Sequence, residues 1–317
     1  MSSPIRILLS ALLVGLALPV SAQDIFAEVR DDRGEVVQIA QQPQRVASLG
    51  VFGADMMLAL GKSAVGTTTY NGQLPAYLGA RPDTMADLGI EPQPNLERLT
   101  ELQPDLIIGI RRYTEPWADS FAPIAPYIAY DMLTEADSTR AVSSVAVALG
   151  AVGTGEKLNA EFEQMKAQMA EQAPGGVSAV FVWLWQDTLY AYYDHVMPAS
   201  FFSPLKVRNT MGSNPTPELP ENFGGPVSYE DILAQDPDVL IVFRAEGNAY
   251  PDHPALRRLR AVREGRAWHV GYQYSQPAGP VARKIILQEM AHLLYPDVFA
   301  DPALPDQVRA EPLRFEN

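Results

Sequence analysis

The chain has 317 residues, no cysteine, four histidines and a formal net charge of −14 at pH 7. That length is enough for two modest lobes with a core each. The acidic balance speaks against nucleic acid and anionic membrane surfaces as partners. The absence of cysteine removes disulfides, thiolate metal sites, iron–sulfur clusters and cysteine nucleophiles.

The first residues point to export. Arg6 precedes an apolar run from Ile7 to Leu18, and Val20-Ser21-Ala22 supplies the small residues a signal peptidase reads. Residues 1–22 are therefore expected to be a secretory signal. The run is shorter than the roughly 20 apolar residues of a membrane span, and polar Gln23-Asp24 follows directly. With no cysteine to carry lipid at a new N-terminus, the expectation is a freely soluble exported protein, which fits a Gram-negative periplasm.

Residues 25 to 45 alternate about the turn Asp31-Asp32-Arg33-Gly34 and predict a hairpin. A short strand, Arg45 to Leu49, leads into a helix over Ala54–Leu60 with Gly61 as its C-cap, and then into a strand at Ala64 to Thr68. Residues 71–94, rich in proline and glycine, read as a loop. Asn95 to Arg111 (NLERLTELQPDLIIGIR) reads as a short amphipathic helix, a Pro-Asp break and a buried strand over Leu106 to Ile110. A helix over Phe121 to Tyr127 and a strand at Ile128 to Tyr130 complete a 23–137 lobe. Strand–helix alternation of this kind builds a mainly parallel sheet covered by helices.

From Ser138 the period changes. Val142, Val145, Leu149, Leu158, Phe162, Met165 and Met169 recur at helical spacing. Residues 138–173 read as a rigid helical connector, and Gly150, Gly153 and Gly155 admit a break into two helices. A second α/β lobe over 174–317 follows. Its expected strands are Val177 to Trp183, Thr188 to Tyr193 and Ala267 to Gly271, with helices over Leu256–Val262 and Ala282–Tyr295.

Within it, Ser228 to Arg244 (SYEDILAQDPDVLIVFR) repeats the earlier segment. Glu97 maps to Glu230, Pro104 to Pro237, Asp105 to Asp238, Ile108 to Ile241 and Arg111 to Arg244. A unit used twice at long range implies two similar lobes with a cleft between them. Ligands of open parallel sheets bind beyond the carboxyl ends of the strands. Arg111 and Arg244 end matched strands. Arg112, Tyr113 and Trp117 follow the first, Trp183 and Trp185 end another, and Tyr272 and Tyr274 lie beyond a third. Fork-shaped cationic donors among flat aromatic faces describe a pocket for a bulky, partly aromatic anion. The competing readings are ion pairs with nearby acids for the arginines and plain core for Trp183. Glu97 and Glu230 sit in helix first turns behind the N-cap residues Asn95 and Ser228, where acids are favoured in any case. Their matched placement also puts a carboxylate on the outside of each lobe, suited to a partner's basic residues.

PNLERLTELQPDLII, VSYEDILAQDPDVLIV, the opening RVASLGVFGADMMLALG and the long central helix together resemble the periplasmic siderophore-binding proteins of ABC importers, a superfamily that includes cobalamin and haem binders. The resemblance covers nearly all of the chain beyond the signal. It implies two α/β lobes bridged by one long helix, with small opening motions. It implies that Glu97 and Glu230 dock onto arginines of the two permease subunits. The expected cargo is a ferric siderophore whose iron is coordinated by the chelator, so no resident cofactor or protein metal site is expected, and the protein is expected to act as a monomer. Haem, with His195 or Tyr113 as axial candidates, and cobalamin are the alternatives within the superfamily. Free metal is disfavoured by the scatter of the histidines at 195, 253, 269 and 292. An enzyme is disfavoured because no phosphate-binding loop and no G-x-S-x-G elbow occurs.

Overall fold

The computed structural model describes residues 25–314 apart from 71, 80–84, 186–187, 220 and 245–252. The expected signal, residues 1–22, lies outside the described residues. Strands β1 (Ala27–Arg30) and β2 (Val36–Ile39) form the antiparallel hairpin. At its turn, the Asp31 carboxylate accepts the N–H of Ala129 at 3.0 Å and fastens the hairpin to the first lobe.

That lobe continues with β3 (Val46–Leu49), α1 (Val51–Ala59), β4 (Gly66–Thr69), β5 (Ala86–Ile90), β6 (Gln93–Pro94) and α2 (Leu96–Glu101). It ends with β7 (Leu106–Ile110), α3 (Arg111–Thr114), α4 (Ala118–Phe121) and β8 (Tyr127–Tyr130). The sheet order is β6-β5-β4-β3-β7-β8, and every pairing is parallel except β5 with β6. Two expectations change here. The loop expected over 71–94 contains β5 and β6. In β5 only Leu88 is fully buried, so the strand carries no alternation to read. The helix expected over 121–127 stops at Phe121, because Pro123 and Pro126 cannot continue it.

The connector is two helices, α5 (Glu135–Ala148) and α6 (Val152–Gln172), broken at Gly150 with φ +68°. A Thr134–Asp137 capping box starts α5. Its Ala141, Val142, Val145 and Ala148 belong to the core of the first lobe. Helix α6 bridges, with Leu158 against that core and Phe162 inside the core of the second lobe.

The second lobe runs β9 (Val177–Trp185), β10 (Thr188–Tyr192), β11 (Val207–Asn209), β12 (Gly224–Val227), α7 (Tyr229–Gln235) and β13 (Val239–Arg244). It closes with α8 (Pro254–Arg258), α9 (Arg260–Arg263), β14 (Ala267–Val270), α10 (Pro280–Leu294) and β15 (Glu311–Pro312). Its centre is parallel, with β13 between β9 and β14 and with β11 also on β9, while β10, β12 and β15 run antiparallel. The single helix expected over 256–262 is two short ones, parted where Leu259 is extended (φ −58°, ψ 140°).

The repeat has a structural purpose in both lobes. Asp105 accepts the backbone N–H groups of Gln44 and Arg45 at 2.7 and 2.8 Å, just before β3. Asp238 accepts the backbone N–H and the hydroxyl of Ser178 in β9, both at 2.8 Å. Each Pro-Asp therefore anchors the start of the neighbouring parallel strand. No described helix is long and apolar enough to cross a membrane.

Candidate ligand pocket between the lobes

A cleft between the lobes is lined from the first by Tyr70, Ile110, Arg112, Tyr113, Met132 and Leu133. From the second lobe Trp183, Tyr192, Phe223, Phe243 and Gln276 face it, together with Val196, Met197, Ser275 and Pro277. Parallel-strand ends supply much of this wall. Tyr70 follows β4, Ile110 ends β7, and Trp183 and Phe243 sit near the ends of β9 and β13. Trp183, Tyr190 and Phe223 pack ring to ring with centroids 5.9 to 6.4 Å apart. Tyr192 meets Phe223 edge-on at 5.8 Å. Burial pushes the Tyr70, Tyr113 and Tyr192 phenols upward, so all three stay protonated near neutral pH. Arg112 is an exposed guanidinium beside these rings, 5.8 Å from the Tyr113 centroid.

Three of the sequence-selected residues thus meet in the cleft: Arg112, Tyr113 and Trp183. Apart from Trp185, the others stand outside its lining, for definite reasons. Arg111 opens α3 and turns to Asp131 at 2.9 Å and Glu115 at 3.6 Å; its hydrogen bond to Asp131 holds it above the usual range. Arg244 lines a side cavity with His269, Tyr272, Arg309, Asp306 and Glu311. Successive strand residues point to opposite faces, and Phe243 takes the face toward the cleft. The matched pair of the two repeats in the pocket is therefore Ile110 with Phe243, one position before the arginines.

Tyr272 divides the two cavities, with its ring 6.2 Å from Tyr70 and 5.6 Å from Phe243. Trp117 lies outside the cleft, its indole N–H donating to the Pro92 carbonyl at 3.1 Å. Tyr274 is core: fully buried, stacked on Phe181 and donating to Glu289 at 2.8 Å. Trp185 ends β9, and its side chain lies outside the described residues. His195 stacks on Tyr193 at 6.4 Å and does not line the cleft.

Several residues at the cleft escaped the sequence reading. Tyr70 was accessible to it, since it stands directly beyond a parallel strand. Glu91 and Gln276 carried no signal. Gln276 donates to the Glu91 carboxylate and accepts the Val51 N–H at 2.9 Å, so one second-lobe side chain holds two parts of the first lobe. Glu91 is 1% exposed, and burial pushes its carboxyl up to about 7, against the pull of Gln276 and Arg112.

Behind this clasp lies a second inter-lobe contact. Asp55 of α1, fully buried, accepts the N–H groups of Val281 and Ala282 at 2.8 and 2.9 Å and the Tyr77 hydroxyl at 2.7 Å. A carboxylate from one lobe thus caps α10 of the other. Burial nevertheless pushes Asp55 up to about 6. Arg283, fully buried on α10, donates to the Ser138 hydroxyl, the Leu158 carbonyl and Asn159, and lies 4.5 Å over the Phe162 ring.

Glu97 and Glu230 are both exposed, in the first turns of α2 and α7. The Asn95 and Ser228 side chains cap these helices by accepting the N–H of Arg98 and Asp231. Among the described residues no group of three or more His, Cys, Asp or Glu side chains is placed to hold a metal ion.

Residues 46–273 match the family model described as periplasmic binding protein. The achromobactin-binding periplasmic protein of Dickeya dadantii (strain 3937) is 25% identical over 306 residues, which is 91% of this chain and 94% of that relative. Among solved structures, the triscatecholate siderophore binding protein FeuA from Bacillus subtilis, complexed with ferri-bacillibactin, superposes with a TM-score of 0.72 at 16% identity. It covers 86% of this chain and 99% of its own. Staphylococcus aureus SirA, complexed with staphyloferrin B, gives a TM-score of 0.66 at 20% identity, covering 85% and 97%. At these identities the structural likeness carries the fold.

Proposed function

The chain belongs to the periplasmic binding protein family, and from that premise we propose that it captures a ferric siderophore in the inter-lobe cleft and delivers it to an ABC importer. The observation that carries this reading is an aromatic cleft, walled by both lobes, with the Arg112 guanidinium beside it. A ferric siderophore is a bulky chelate with flat or apolar arms and, in many cases, net negative charge. Trp183, Tyr192 and Phe223 offer faces to those arms, and Arg112 with the neutral hydroxyls of Tyr70 and Tyr113 offers hydrogen bonds to anionic oxygens. The chelator keeps the iron in its own coordination sphere, and the protein ligates nothing. Relatives named for achromobactin, ferric citrate and siderophores support the cargo class.

Release would take place at the membrane. Exposed Glu97 and Glu230, one on each lobe, would engage basic residues of two permease subunits while the cleft faces the translocation path. The protein would work in the periplasm, after removal of residues 1–22.

The test is a titration of tryptophan fluorescence with ferric citrate, ferric staphyloferrin B, ferri-bacillibactin, haem and cobalamin. Trp183 lines the cleft, so saturable quenching by a ferric chelate is expected, with no comparable response to haem or cobalamin. Saturation by haem or cobalamin alone would overturn the siderophore reading.

A further inference from the structure

Glu91 is a carboxylate in an unfavourable place. It follows β5 by one residue, at the carboxyl end of a parallel strand, and is 1% exposed. One oxygen accepts the Gln276 amide. The other, Oε2, is buried and meets no donor among the described residues. Among the described residues, three titratable or charged groups act on it: Arg112 and Tyr113 on α3, and Tyr70 beyond β4. The fourth neighbour, Gln276 from the other lobe, is neutral. All four line the cleft, and Glu91 stands behind them.

We propose that Glu91 is the proton-holding partner of Arg112, so that an anionic chelate enters the cleft together with a proton taken up at Glu91. The proposal rests on the reading of this cleft as the ligand site. In the empty cleft an ionised Glu91 is supported first by the Gln276 amide and then by the Arg112 charge. An anionic chelate draws on that charge and adds its own negative potential. The ionised carboxylate is then left buried with one donor, and the neutral acid becomes the favoured form. The proton comes from solvent; no bond of the ligand is altered. Burial already brings Glu91 up to about 7, so small changes in the cleft move it across neutral pH. Glu91 is a positioning residue, acting on the ligand through Arg112.

The experiment has two arms. In the first, ferric citrate and ferric staphyloferrin B are titrated calorimetrically at several pH values between 5 and 8, in buffers of different ionisation enthalpy. The wild type is expected to take up protons on binding, and its affinity to fall by up to about tenfold per pH unit above neutral, the limit for a single linked proton. In Glu91→Gln the dependence is lost, and affinity at pH 8 rises above that of the wild type. Buffer-dependent proton uptake in the wild type needs no variant. A pH profile identical in the two proteins overturns the proposal.

The second arm needs no ligand. Carboxyl 13C resonances of the ligand-free protein are followed with pH, and Glu91 is assigned by its absence in Glu91→Gln. A midpoint near neutrality is expected. A midpoint near the ordinary glutamate value of about 4.3 overturns the proton-linked role while leaving the cleft reading intact. Absence of binding by either chelate at every pH, with no quenching by ferri-bacillibactin and a neutral midpoint still observed, overturns the cleft reading and the linkage with it.

Discussion

A single position separates the arginine that meets the cleft from the one that does not. Arg111 sits at the end of β7 and is tied to Asp131, while Arg112, one residue on, projects to the aromatic wall. Arg112→Ala is therefore expected to weaken chelate binding by about 1.5 to 3 kcal/mol, the range for a hydrogen bond to a charged group. Arg111→Ala should change it by less than about 0.5 kcal/mol, below the worth of one hydrogen bond, because its guanidinium turns to Asp131 and does not line the cleft. Equal losses in both variants by fluorescence titration would contradict this assignment. The sequence alone could not separate the two, since aligning the repeats matched Arg111 with Arg244 and strand alternation then sent Phe243, not Arg244, toward the cleft. Tyr274 misled for a related reason. Its loop is a tight 3-10 turn, Tyr272–Tyr274, which turns Tyr272 toward the side cavity and Tyr274 into the core.

Among the elements, those with strong periodicity or clear punctuation were legible. The strand Leu106–Ile110 stands as read, and the capped starts of α2 and α7 follow Asn95 and Ser228. The strands β5 and β6 were not legible, because their pairing comes from the sheet edge and not from an apolar face. Helix α10 shows the same limit. Its N-terminus has no capping side chain of its own at Gly279, and the cap arrives from Asp55 in the other lobe. Asp55→Ala should destabilise the protein by about 2 to 4 kcal/mol, since it strands buried N–H groups and the Tyr77 hydroxyl. Chemical denaturation at neutral pH measures this, and a loss below about 0.5 kcal/mol would exclude the capping role.

For the whole molecule, the same carboxylate makes stability depend on pH. Burial holds Asp55 up to about 6 in the folded chain, against about 3.9 in an unfolded one. The folded state thus keeps a proton that the unfolded state releases. Its contribution falls as pH rises from about 4 to about 6, by at most about 3 kcal/mol, and Asp55→Asn should flatten that slope. Thermal melts across this window decide the sign, and a melting temperature that rises more steeply in the wild type than in Asp55→Asn would refute it. At the outer surface, the double variant Glu97→Ala, Glu230→Ala is expected to bind its chelate with unchanged affinity and to lose transporter-dependent uptake. Uptake at the wild-type rate would remove the docking role.

The cap on α10 has a further consequence, for how far the two halves are separable. The repeats present the halves as near copies, each with its own sheet and core. Yet a second lobe produced alone would expose the amides at the start of α10, and Arg283 would lose Ser138, Leu158 and Asn159 along with the helices that carry them. The halves resemble modules without being autonomous. Helix α1 leaves the ribosome well before α10, so its aspartate has no helix to cap until the second lobe is nearly made. Recombining such halves between relatives would succeed only where Asp55 and the Gly279–Arg283 segment travel together.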